Sequence, residues 1–167
     1  ADLPNESPFC GNADAGGTYW VFKSARVYFV TTVDGTDQLR DVLSNQPLEG
    51  GDIVYLEASG DFSVTQGGGT VTAWNYLSGT EDLPIHIEGY DGRPLIYGDG
   101  LVGSLLEIES YYTIVEGIDF TDAGGDGLVV SGDNNTVNRC RSYSQGGDGI
   151  KVTGDYNLII NSMFYLN

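Results

Sequence analysis

The sequence repeats itself every 22 residues along its second half. Leu106, Leu128 and Ile150 fall in one column, Ile108, Val130 and Val152 in a second, Val115, Val137 and Ile159 in a third, and Ile118, Cys140 and Ser162 in a fourth. The last two repeats also share text: Gly-Gly-Asp-Gly stands at 124–127 and again at 146–149, Gly132-Asp133 is matched by Gly154-Asp155, and Asn135 by Asn157. Ile85 and Ile87 read as an earlier member of the first two columns, at an offset of 21. A repeat this regular confines the chain to architectures in which one unit stacks on the next.

A 22-residue unit is too short for a strand-helix-strand crossover and lacks a helix-length apolar stripe, but it fits three short strands joined by turns. Leucine-rich repeats of similar length need leucines at fixed short spacings that are missing here. The unit is therefore one coil of an all-β solenoid, a parallel β-helix. Stacking puts residue i under residue i+22 at the ~4.8 Å separation of neighbouring strands. The apolar columns then become inward ladders, Asn135 and Asn157 an amide ladder in a turn, and Glu107, Val129 and Lys151 an outward row. On this register a carboxylate at Ile108 or Val130 blocks folding and one at Val129 does not.

Ahead of the repeats, residues 1–25 lack periodicity and read as an arm or cap, with Tyr19, Trp20 and Phe22 to pack it down. Residues 26–167 form the solenoid. It opens with a strand over 26–33, a short capping helix near 38–45 with Leu39, Val42 and Leu43 as its apolar stripe, and a compact strand at 53–56. Residues 157–167 still read as solenoid, with Ile159, Ser162 and Phe164 inward and no charge, proline or helix to close the coil. The expectation is a chain truncated at its C-terminus, whose open coil is covered by a C-terminal fragment or a second copy.

The composition agrees with strands and tight turns: 25 glycines, 11 tyrosines and 19% charged residues among 167. The formal charge of −17 repels nucleic-acid backbones and anionic membrane surfaces, so neither is an expected partner and cations are. No apolar run reaches the roughly 18 residues of a membrane span. Ala1-Asp2-Leu3-Pro4 suits a terminus left by a signal peptidase, which points to a secreted or cell-surface protein. Cys10 and Cys140 either pair, or Cys140 is a small buried thiol at an inward position.

Pattern and text together resemble the pectate-lyase-like superfamily of right-handed parallel β-helices, and family 9 polysaccharide lyases most among its branches. The stretches that carry the resemblance are Gly50-Gly51-Asp52-Ile53-Val54-Tyr55-Leu56 after the short helix, 84–90 leading into 94–98, and Tyr112 to Phe120. The resemblance implies a calcium-dependent lyase that cleaves an acidic, uronate-containing polysaccharide by β-elimination, with an aspartate cluster for the metal and a lysine as base. Gly147-Asp148-Gly149-Ile150-Lys151 is similar to the family's Asp-Gly turn followed by a lysine-bearing strand. Here the lysine stands three positions after the aspartate and no consecutive aspartate pair follows.

Asp126 and Asp148 share a turn of adjacent coils, and Asp122 lies four residues earlier, so these three are the candidate calcium ligands. The competing reading is that each Asp of a Gly-Asp-Gly turn caps backbone amides. Lys151 is the candidate base, against a solvated surface lysine. Arg141, Tyr143 and Tyr165 are the candidate sugar contacts, with Tyr143 and Tyr165 stacked at an offset of 22, and tyrosines that merely cover coil edges are the alternative. His86, the single histidine, reads as an outward surface residue, so a Ser-His-Asp hydrolase lacks its parts. A non-catalytic carbohydrate-binding or cell-surface module is the second function these residues admit.

Overall fold

In the computed structural model, residues 24–31, 35–59, 61–64, 69–74, 78–100 and 103–167 are described. The expectations for the N-terminal arm, Cys10 included, lie outside them. The described chain is a solenoid of three parallel sheets. The first sheet stacks β1 (Val27–Val30), β2 (Ile53–Glu57), β5 (Ile85–Tyr90), β8 (Thr113–Glu116), β11 (Thr136–Asn138) and β14 (Leu158–Ile160). The second stacks β4 (Val71–Ala73), β7 (Leu106–Ile108), β10 (Leu128–Val130) and β13 (Ile150–Val152), and the third β3 (Asp61–Ser63), β6 (Leu95–Tyr97), β9 (Asp119–Thr121), β12 (Arg141–Tyr143) and β15 (Met163–Tyr165).

The 22-residue register holds in all three sheets over the last coils: Leu106, Leu128 and Ile150 pair in series, as do Val115, Val137 and Ile159. Earlier coils are longer. Ile85 and Ile87 pair with Thr113 and Val115 in the first sheet, whereas Leu106 and Ile108 pair with Val71 and Ala73 in the second. Their expected place in the Leu106 column is therefore corrected. Ile85-His86-Ile87 and Leu106-Glu107-Ile108 carry the same apolar-polar-apolar pattern, so periodicity alone does not tell the first sheet from the second, and loop length decides.

The core is the tube interior: Val54, Ile87, Ile96, Ile108, Phe120, Val130, Val137 and Cys140 are all buried. Helix α1 (Gly35–Asn45) lies against β1, β3 and β4 and buries the expected Leu39, Val42 and Leu43. Its first turn begins earlier than the expected residue 38. Val129 points outward as expected and stays out of the core cluster, with only 9% of it exposed between its neighbouring coils. Ile159, on the last described strand of the first sheet, is 38% exposed where Val115 and Val137 beneath it are 1% and 2%.

Each recent coil turns through three corners held by a single left-handed residue. Tyr112, Asn134 and Tyr156 form one column of positive φ; Gly117, Arg139 and Asn161 a second; Gly100, Asp122, Ser144 and Leu166 a third. The turn amides that the strands leave over are satisfied by the neighbouring coil. Asn135 Oδ1 accepts from Thr113 N–H at 2.8 Å while its Nδ2 donates to Ser110 O at 2.9 Å, and Asn157 repeats this one coil on. Gln145 Oε1 serves Ala123 N–H at 2.7 Å, and Ser162 Oγ serves Cys140 N–H at 3.1 Å. Backbones stack so closely that a Cβ at Gly132 or Gly154 would lie 2.0 Å from a carbonyl oxygen of the coil below.

Ile108→Asp and Val130→Asp, at positions 0% and 1% exposed, are expected to abolish the cooperative thermal transition followed by circular dichroism. Asn135→Ala leaves a buried N–H and a buried C=O unpaired and is expected to cost about 2 kcal/mol or more in a urea titration.

Candidate functional site

The outward row of the second sheet runs Thr72, Glu107, Val129, Lys151. Lys151 follows Ile150 on β13 and reaches down one coil to place Nζ 3.5 Å from Asp126 Oδ2. The other oxygen, Asp126 Oδ1, accepts the Asp148 backbone N–H at 2.9 Å. Asp133 does the same for Asp155 N–H at 2.8 Å. Asp126 thus performs the capping role that a Gly-Asp-Gly turn offers. Gly147 makes room for it, since a Cβ there would lie 2.6 Å from Asp126 Oδ1.

Asp148 is exposed in the turn above Asp126. Asp122 sits at a left-handed corner with φ 58°, and its charge acts on Tyr143 of the third sheet. Among the described residues, no three His, Cys, Asp or Glu side chains gather into a metal-binding group. Calcium takes six to eight oxygens, and the expected trio of Asp122, Asp126 and Asp148 does not supply such a set. Glu107 is held above the ordinary carboxylate range, first by burial and then by the charge of Glu109.

A second cluster lies on the third sheet. Asp119, 6% exposed, accepts from Arg141 Nε at 2.8 Å on Oδ1, from Arg141 Nη2 on Oδ2, and from Arg93 Nη1 at 3.2 Å on Oδ1. Arg141 stands one rung above Asp119, which lets its planar fork take both oxygens. Arg93 also donates to Arg139 O at 2.5 Å. Two guanidiniums on one carboxylate leave a local positive charge on an acidic protein. Beside it, Tyr143 and Tyr165 stack with centroids 5.4 Å apart and planes at 17°, as expected. Burial, ahead of the Asp119 charge, pushes the Tyr143 hydroxyl above its ordinary range. Asp119 and Arg93 were not among the expected site residues, although Asp119 and Arg141 are 22 residues apart, the offset that flags stacked pairs.

His86 lies outward on β5, its Nδ1 3.9 Å from Glu88 Oε2. Cys140 is a free, buried thiol, pushed up to about 11 chiefly by burial, and its Sγ lies 3.6 Å from Val115 O. It is inert packing of the kind the inward column implied.

No family model matches the chain, and no curated protein does. Solved structures do. One is pectate lyase Pel9A, with TM-score 0.69 and 23% identity over 84% of this chain and 39% of that one. Another is an alginate lyase from Paenibacillus sp. str. FPU-7, with TM-score 0.57 and 22% identity over 82% of this chain and 44% of that one. The chain is a right-handed parallel β-helix, the fold it shares with these structures. It spans less than half the length of either structure.

The Glu107 environment sets a pH test. Its folded-state carboxyl keeps its proton to a higher pH than the ordinary 4.5, so above that value the folded state binds the extra proton and stability falls as pH rises through the folded pKa. Glu107→Gln removes this titration. Its melting temperature is expected to match wild type near pH 4 and exceed it near pH 7, and an equal gap at both pH values contradicts the assignment.

Proposed function

We propose that the chain belongs to a polysaccharide lyase that acts on an acidic, uronate-containing polysaccharide by β-elimination with calcium. The observation that carries this reading is the shared helix with two polysaccharide lyases, one for pectate and one for alginate. On this chain, Lys151 is the only lysine among the described residues, and it stands exposed on an outward strand beside Asp126. In the proposed reaction its amine takes the proton beside the uronate carboxylate, the C–H electron pair forms the new double bond, and the glycosidic oxygen leaves. Lys151 first has to part from Asp126. The described residues offer calcium Asp126 and Asp148 at most, with Asp126 already engaged, so no step is assigned to the metal. Secretion to the cell exterior fits a polymeric substrate that stays outside the cell.

A second reading, a non-catalytic carbohydrate-binding module, is favoured by the Tyr143–Tyr165 pair beside Arg141. The flat rings offer a stacking face, and the guanidinium offers donors for a carboxylate.

Mixing the protein with pectate, alginate and chondroitin separates the two. A lyase produces rising absorbance of unsaturated uronide with at least one polymer, greater in millimolar calcium than in chelator, and Lys151→Ala lowers kcat by about a hundredfold or more. Binding without any rise in absorbance leaves the module reading. Calcium bound only by the folded protein also raises the melting temperature, and an unchanged midpoint between chelator and calcium removes the metal.

A further inference from the structure

Where the first sheet meets its leading corner there is a groove of about 380 Å³ that includes neither Lys151 and its aspartates nor the Arg141 cluster. Its floor is the outward row of β8, β11 and β14, where Ile114, Thr136 and Leu158 succeed one another in register. Its rim is the left-handed corner column Tyr112, Asn134, Tyr156. The corner geometry sets these backbone positions at equal steps, so the two tyrosines stand two coils apart, about 10 Å, with the shorter Asn134 between them. That gap admits one further ring at the ~5 Å separation at which flat faces stack.

The polar groups are of one kind. Among the described residues, the side chains of Asn134 and Thr136 make no hydrogen bond within the protein, so an amide and a hydroxyl remain to meet a ligand. Among the described residues, the only charged one lining the groove is Glu81, and no cation lines it. An anionic sugar gains nothing there and is repelled by Glu81 and by the −17 chain. A neutral pyranose fits: its C–H faces suit tyrosine rings, and its edge hydroxyls can both donate to Glu81 and exchange hydrogen bonds with an amide and a hydroxyl.

We propose that this groove is a binding site for a neutral sugar unit held between Tyr112 and Tyr156, on a different sheet from Lys151 and from the Arg141 cluster. It stands apart from the elimination reading, since it requires neither a uronate nor a metal.

The test is calorimetric titration of the full chain with neutral β-1,4-linked hexasaccharides of glucose, xylose, mannose and galactose, and with hexagalacturonate. Tyr156 is 87% exposed, and asparagine suits a left-handed corner, so Tyr156→Asn should fold with an unchanged melting temperature. At least one neutral hexasaccharide is expected to bind, about tenfold more weakly to Tyr156→Asn and more weakly still to the Tyr112→Asn, Tyr156→Asn double variant, with hexagalacturonate binding unaffected by either. The proposal is overturned if no neutral hexasaccharide binds, or if the double variant binds as well as wild type. Release of unsaturated product is read separately, so either idea can fail without the other.

Discussion

The structure depends on polar closure between coils. Strand ladders satisfy three short stretches per turn of the solenoid, and everything between them would leave buried amides unpaired without help from the coil above or below. Asn135, Asn157, Gln145 and Ser162 supply that help downward, and Asp126 and Asp133 supply it in the opposite sense. Each bond joins residues 22 apart. Slipping the register by one residue would break these side-chain caps together with the apolar ladders, so the polar and apolar interactions specify the same stacking.

That closure also explains what the sequence revealed. The last coils were legible because their loops have one length, so columns such as Leu106, Leu128 and Ile150 line up in the text as they do in space. The early coils were not, because β5 lies 28 residues before β8 and β4 lies 35 before β7, and an apolar-polar-apolar triplet carries no label for its sheet. The stacked tyrosines were legible for the same reason as the ladders. The Asp119 cluster was missed because Arg93 reaches it from an irregular coil, and the capping role of Asp126 stood only as one of two readings because a turn aspartate looks the same in text whether it caps an amide or waits for an ion.

Three faces carry three chemistries. The second sheet presents Lys151 with Asp126 and a carboxyl, Glu107, whose pKa is raised by burial; the third presents a net positive cluster beside stacked rings; the first presents a groove rimmed by tyrosines and Glu81. In a tube these faces point in different directions, so a single polymer strand running along the axis meets one of them at a time. Charge sorts them further, since the arginines at Asp119 stand among the few cations of a strongly acidic chain.

The single-residue corners have a consequence for variation. A bend made by one left-handed residue asks nothing of the loop beside it, so extra residues can bulge outward there while the strands on either side keep their rungs. Rungs of the early coils lie 28 and 35 residues apart, against 22 later, so the strand register already tolerates about 6 and 13 extra residues. The tube therefore resembles a rack with fixed shelves and free overhangs, onto which foreign segments can be grafted at the corners without disturbing the shelves.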